Sequence, residues 1–335
     1  MMIDFTRVFH RVVGSRLFKA SSIYMVGYGL KRIVPFLLLP VMTAYLTPED
    51  YAVVALFSIF IAIVTMVTSC GVLSSVSLEY LNKSEGDFAV YLSNCLLIMA
   101  VATGLVAGVS LLLSDWVLSL FRIPGNWLWT VFLVAICTNI LNLVFYTFQA
   151  AHRPLAFIIL LLCMTLIEIS VSVFLVVGQE MHWQGRVIGL IMGASLMSIP
   201  ALIWLYRHKA LLRPVNPDMV KAALIFGLPL VPHYAAMLLS TMSDRLLLDH
   251  LATRTELGIY TVAFQLSSVV YILIHTFMLA WSPWFYEHLK LDTGATRRRV
   301  VLLTYALSAL ALLGGLAYGV STWVLYEFMV DDAYS

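Results

Sequence analysis

Long apolar runs follow one another along this chain with only short connections between them. Runs long enough to cross a bilayer read as about 21–46, 51–78, 88–113, 127–150, 154–178, 185–206, 219–249, 256–286 and 300–322. A hydrocarbon core of roughly 30 Å takes about 20 helical residues. Inside it only helices or closed barrels satisfy every backbone N–H and C=O. Runs of this length therefore predict helices, nine of them. The longest connection is about 14 residues, so neighbours pair as antiparallel hairpins and no soluble catalytic domain fits between spans. Composition agrees, with 61% hydrophobic and 11% charged residues against roughly 25% charged in soluble domains. The expected fold is an all-α polytopic membrane protein.

The distribution of cations tests the span count. With the N-terminus inside, the inside segments hold Arg7, Arg11, Arg16, Lys19, Lys83, Arg153, Arg207, Lys209, Arg213, Lys221, Lys290, Arg297, Arg298 and Arg299. The outside segments hold Arg122, Arg186 and Arg254, and Lys31, Arg32 and Arg245 lie within spans. This bias follows the positive-inside rule, and a wrong count would scramble it. Residues 1–20 mix basic and apolar positions without the apolar core of a signal peptide. They read as a short amphipathic cytoplasmic helix on the membrane surface. Cys70, Cys95, Cys137 and Cys163 all lie in apolar segments at no metal-binding spacing, so they read as small buried hydrophobes, and no metal, cofactor or disulfide is expected.

An internal repeat is visible. Residues 46–57 echo 252–263 at an offset near 206, which also carries Tyr80 to Tyr286 and Phe121-Arg122 to Glu327-Phe328. An even number of spans separates the repeat units, so the repeat is parallel, with its axis along the membrane normal. The organisation read from this is a cytoplasmic N-terminus (1–20), a six-helix lobe (21–206), a cytoplasmic linker (207–218) and the first three helices of a second lobe (219–335). By the offset, the second lobe reads as about three helices short, as in a truncated chain; a natural nine-span protein and a partner that completes the lobe are the alternatives.

Charges inside spans are the strongest pointers to function. A mid-membrane Lys or Arg costs at least about 2.5–3.5 kcal/mol on insertion scales and usually faces a protein interior or a wet cavity. Lys31 and Arg32 are adjacent in the first span and suggest an anionic ligand. Arg can grip a pyrophosphate bidentately and Lys adds a point charge. Snorkelling to the interface is the competing use of both side chains. Arg245 offers a further cation for an anionic head group, and Asp244 a site for a coupling ion or proton; a structural ion pair is the alternative. Glu168, near the middle of the fifth span, is protonated or paired across helices, with Lys31 or Arg32 as partner, or is a proton-coupling site. His233 and His275 read as packing residues, and Asn139, Asn142, Gln149 and Gln265 chiefly as helix contacts. The stripes Gly185-x-x-x-Gly189-x-x-x-Gly193 and Gly104-x-x-x-Gly108 predict close helix approach. Trp127, Trp129, Trp183, Trp281 and Trp284 predict an aromatic belt.

Two stretches carry a family resemblance. One runs from Leu39 to Tyr51, LPVMTAYLTPEDY. The other comprises Gly227-Leu-Pro-Leu-Val-Pro-His233, Ser243-Asp244-Arg245, Glu256-Leu-Gly-Ile-Tyr260 and Ala280-Trp-Ser-Pro-Trp284. In these the chain resembles the polysaccharide-unit flippases of bacterial surface-glycan synthesis, the O-antigen type, which share a superfamily with the MATE drug exporters and the lipid II flippase. Asp244-Arg245 matches that family's Asp-Arg motif. The resemblance implies a MATE-like two-lobe helical transporter in the bacterial inner membrane. It implies a polyprenyl-pyrophosphate-linked oligosaccharide as substrate, flipped from inner to outer leaflet by alternating access. Membrane lipids, a glycan polymerase and other surface-polysaccharide assembly proteins are the implied partners, and nucleic acid is not among them. Family members have 12 or more spans, from which the short second lobe departs.

Competing functions are weaker. A MATE-type drug/cation antiporter would want acidic residues where the first span has Lys31 and Arg32. A membrane-embedded glycan-modifying enzyme would want a large outside loop or a catalytic cluster at one face. No G-x-x-x-x-G-K-[ST] sequence occurs, so direct ATP use by a P-loop is not expected.

Overall fold

The structure is a computed structural model and describes residues 23, 26–27, 29–31, 33–34, 36–211, 213–289 and 294–334. The expected surface helix at 1–20, Arg32 and Lys290 lie outside the described residues. Twelve α-helices are followed here: α1 (Leu39–Tyr45), α2 (Pro48–Thr68), α3 (Val76–Asn82), α4 (Glu85–Leu112), α5 (Ser114–Phe121) and α6 (Leu128–Ala150). After them come α7 (Pro154–Val173), α8 (His182–Arg207), α9 (Pro217–Gly227), α10 (Val231–Leu251), α11 (Arg254–Leu289) and α12 (Gly294–Met329). No strand occurs among the described residues.

Seven helical stretches among the described residues are long and apolar enough to cross a membrane: Pro48–Thr68, Glu85–Leu112, Gly125–Ala150, Pro154–Gly178, His182–Arg207, Pro217–Leu251 and Val300–Val324. The count is seven against the nine expected. Of the other two, 21–46 is only partly described, and 256–286 falls within the 36-residue α11.

Helix ends follow local chemistry. Thr47 caps α2: its hydroxyl accepts the Asp50 N–H at 3.2 Å while Asp50 Oδ2 accepts the Thr47 N–H at 3.0 Å. With Pro48 at the first helical position, this is a complete capping box. Thr253 and Glu256 repeat it at the start of α11, with bonds of 3.2 and 2.8 Å. Ser84 caps α4 through the Asp87 N–H, and Asn216 caps α9 through the N–H groups of Asp218 and Met219.

Two expected spans are broken by residues that cannot continue a helix. The run 51–78 stops at Thr68, where Cys70 and Gly71 take φ of 48° and 68°. A 3-10 turn, Val72–Ser75, then leads into α3. Glycine is required at 71, because a Cβ there would sit 2.2 Å from the carbonyl oxygen of Gly227. The run 219–249 has a 3-10 turn at Leu228–Leu230, which separates α9 from α10. Pro229 and Pro232 supply no N–H for the α-helical ladder at that point.

The chain divides into two compact units. One is Tyr45–Thr261 and the other combines Met1–Ala44 with Val262–Ser335. In the Tyr45–Thr261 unit, α6 is the most enclosed element, with 72% of its central stretch buried. Around it Phe57, Phe60, Val64, Phe121, Val131, Phe132 and Val187 form one cluster drawn from α2, α5, α6 and α8. Phe60 stacks on Phe121 with ring centroids 4.2 Å apart. In lipid, such packing acts through van der Waals contact and fit, since the surrounding chains are as apolar as the core. In the other unit, the Tyr318 hydroxyl donates to the Leu266 carbonyl at 2.8 Å and ties α12 to α11. Thr43 in α1 lies 3.5 Å from the Met329 carbonyl at the end of α12.

Candidate functional site

Lys31 is helical and half-buried in the Met1–Ala44 part of its unit. Arg32, its expected companion, lies outside the described residues. Asp244, Arg245 and Glu168 belong to the Tyr45–Thr261 unit.

Asp244 and Arg245 are half-buried on α10, about two turns before its end. The chain reverses over Ala252-Thr253, and the Thr253–Glu256 capping box starts α11 at once. Positions about two turns on either side of such a reversal come level. Tyr260 on α11 is thereby opposite Asp244, and its hydroxyl donates to Asp244 Oδ2. Asp244 Oδ1 accepts the Arg245 N–H at 2.9 Å. Both carboxylate oxygens are therefore oriented, and two segments of the second stretch that carries the family resemblance meet at one hydrogen bond.

Glu168 is paired across helices, but neither Lys31 nor Arg32 is the cation shown with it. Arg186 on the first turn of α8 places Nη2 2.9 Å from Glu168 Oε1, and its Nη1 donates to Ser172 Oγ at 3.0 Å. Within this unit the cation on Glu168 is Arg186, which the sequence counted as an outside charge. Glycine makes this possible. A Cβ on Gly189 would lie 2.0 Å from Ser172 Oγ and 2.6 Å from the Glu168 carbonyl, and one on Gly193 would lie 2.9 Å from Glu168 Cβ. The stripe in α8 is a packing surface for α7, as expected. For the stripe in α4, nothing among the described residues lies within 4 Å of a Cβ built on Gly104 or Gly108.

Asn139 also serves helix contact. Its Nδ2 donates to Thr68 Oγ1 at 2.9 Å, joining α6 to α2. Trp127 and Trp183 pack edge to face at 5.3 Å, while Trp129 is exposed.

A polar cluster that the sequence did not single out gathers where α2 and α11 begin. The Arg122 Nη1 donates to the Asp249 carbonyl at 2.8 Å, and its Nε lies 3.6 Å from Asp249 Oδ2. Arg254 Nη2 donates to the Arg122 carbonyl at 2.8 Å. The Thr255 hydroxyl reaches Glu49 Oε1 at 3.4 Å, and His182 Nδ1 is 3.6 Å from Asp50 Oδ2. The only signal for this cluster in the sequence was the repeat offset, which put charged residues at both helix starts. An open groove of about 730 Å³ runs elsewhere in the same unit, along α9. Its lining includes Val215, Val220, Leu224, Ile225 and Leu228, with Lys221 its one charged residue. Among the described residues no three His, Cys, Asp or Glu side chains converge as a metal site would need.

Known proteins match this chain in sequence and in fold. Residues 17–288 match the polysaccharide biosynthesis protein family. Lsg locus protein 1 of Haemophilus influenzae is 28% identical over 284 residues, which cover 82% of this chain and 67% of that protein. The inward-facing conformation of a multidrug resistance MATE family transporter of the MOP superfamily superposes with a TM-score of 0.68 at 12% identity, covering 94% of this chain and 74% of that one. A MATE crystal structure in the straight conformation gives 0.62 at 14% identity, covering 90% and 71%. At these identities the structures speak for the fold, and the family match speaks for the kind of protein. With that match spanning most of a multi-pass helical chain of MATE-like fold, the protein belongs to the polysaccharide biosynthesis family, membrane transporters of the polysaccharide-export type.

Proposed function

We propose that the chain flips a polyprenyl-pyrophosphate-linked oligosaccharide, a repeat unit of O-antigen, capsule or exopolysaccharide, from the inner to the outer leaflet of the bacterial cytoplasmic membrane. It works by alternating access, with its N-terminus cytoplasmic, and performs no covalent chemistry. The carrying observation is the placement of Lys31 and Arg245 within apolar helices of a polysaccharide-export transporter. Such cations suit a pyrophosphate and would repel the cationic substrates of a drug antiporter. Lys31, Arg32 and Arg245 take the anionic head group. Asp244, oriented by Tyr260 and its own helix, is the coupling group. Glu168 holds α7 to α8 through Arg186, a use its ion pair favours over coupling. The apolar groove along α9 suits an isoprenoid chain.

Replacing Lys31 and Arg32 together by Ala tests the reading. Surface-glycan assembly should be lost at normal protein abundance in the membrane. Full complementation by that double variant would overturn the anion site.

A further inference from the structure

We propose that Arg122 and Asp249 are positioning residues for transport, a latch that holds the two repeats shut at the end of the molecule where both capping boxes lie. The purpose of the latch rests on the transporter reading above; its test does not.

Arg122 belongs to the first repeat and follows α5 in the left-handed region, at φ 46° and ψ 35°. For a residue other than glycine that conformation is strained, and neighbouring contacts hold it. They come from the second repeat on both sides. Arg122 Nη1 bonds the last turn of α10 through the Asp249 carbonyl, and Arg254 at the start of α11 bonds the Arg122 carbonyl. Parting the repeats at this end has to break both.

The carboxylate shows that the closure is poised rather than locked. The Asp249 side chain is 0% exposed. Among the described residues neither of its oxygens has a hydrogen-bond partner. Arg122 Nε at 3.6 Å is near enough for attraction and too far for a hydrogen bond. A buried carboxylate kept on those terms is under-compensated, because burial removed its water and one distant cation returns only part of the loss. Opening this end would hydrate Asp249 and relieve that cost, as a contact that must break in every cycle requires. The equivalent positions of the repeat carry no charge. The offset of 206 carries Arg122 to Phe328 and Asp249 to Thr43. Next to the first of these, the Met329 carbonyl lies 3.5 Å from the Thr43 hydroxyl.

The test uses a reporter cysteine beneath the seam. Ala52 is fully buried against Leu257, so Ala52→Cys is placed in the full chain after replacement of the four native cysteines. A membrane-impermeant maleimide is applied at each membrane face. Arg122→Ala strands the buried carboxylate, and labelling should rise several-fold at one face. Adding Asp249→Asn removes the stranded charge, and labelling should fall below that of Arg122→Ala while staying above the parent level, because the bond to the Asp249 carbonyl is still missing. Arg122→Gln, which keeps a donor for the Asp249 carbonyl, serves as second variant if Arg122→Ala lowers abundance. Unchanged labelling in the single variants would overturn the latch, and so would raised labelling that Asp249→Asn does not lower, which is the mark of plain destabilisation. Labelling requires no substrate, so failure of the glycan-lipid reading would leave this result readable.

Discussion

The Thr255 hydroxyl lies 3.4 Å from Glu49 Oε1, and the two residues are 206 positions apart in the chain. That spacing is also the offset of the internal repeat. A residue touches its own repeat equivalent only where the two copies turn about each other, so this contact marks the local axis. The surrounding groups agree. Thr47 with Asp50 and Thr253 with Glu256, each pair one offset from the other, form the same capping box on either side. The seam between them is tight, since a Cβ on Gly258 would stand 1.8 Å from the Pro48 carbonyl.

Equivalent caps should contribute equally. Thr47→Ala and Thr253→Ala each remove the acceptor for a first-turn N–H and should each cost about 1 kcal/mol. Thermal unfolding of the purified protein in detergent measures this, and the two variants should fall by similar amounts. A silent Thr253→Ala beside a costly Thr47→Ala would mean that the second box is geometric repetition without energetic weight.

The glycine stripes show what the sequence could and could not say. Gly185, Gly189, Gly193 and the pair Gly104, Gly108 have the same four-residue spacing, and both read as close helix contacts. Among the described residues only the first has a neighbour pressed against it. Spacing fixes which face the small residues share; which helix covers that face depends on tertiary arrangement. The same limit explains Glu168. An intramembrane carboxylate announces that a partner is needed, yet the place of Arg186 beside it comes from the α7–α8 hairpin, which the sequence pattern does not specify. Helix breaks were hidden for another reason. The run 51–78 is uncharged throughout, and its interruption rests on the backbone of Cys70 and Gly71, which hydropathy does not register.

Substitution at the stripes should separate them. Gly189→Ala drives a methyl into Ser172 Oγ and the Glu168 carbonyl, and overpacking of this kind costs about 1–3 kcal/mol. Gly104→Ala meets nothing within 4 Å and gains helix propensity, so stability should hold or rise slightly. Unfolding temperatures of the two variants, measured side by side, decide it. Equal effects would contradict the packing assigned to α8.

The Glu168–Arg186 pair makes an asymmetric prediction. Arg186→Ala leaves a mostly buried carboxylate without its cation, a loss on the order of 3–5 kcal/mol for buried pairs. Glu168→Gln with Arg186→Gln leaves two neutral groups that can bond each other and should cost less than Arg186→Ala alone. Membrane abundance and detergent unfolding report the order. If the pair is structural, Glu168→Gln at normal abundance should also keep whatever ion-gradient dependence the parent shows.

Tyr260 and Asp244 should act as one unit. The Tyr260 hydroxyl bonds Asp244 Oδ2, and the Arg245 N–H bonds Oδ1. Tyr260→Phe removes the first bond, whose loss is worth about 1.5–3 kcal/mol when the acceptor is charged, and frees the carboxylate to rotate. The ring of Tyr260 is retained, so abundance should change little while the transport rate falls. Asp244→Asn should lower transport in the same direction. Because residues in one hydrogen bond are not independent, Tyr260→Phe combined with Asp244→Asn should be no worse than Asp244→Asn alone. Complementation of surface-glycan assembly, titrated by expression level, supplies the readout. Effects that multiply in the double variant would separate the two residues and remove Tyr260 as the group that orients Asp244.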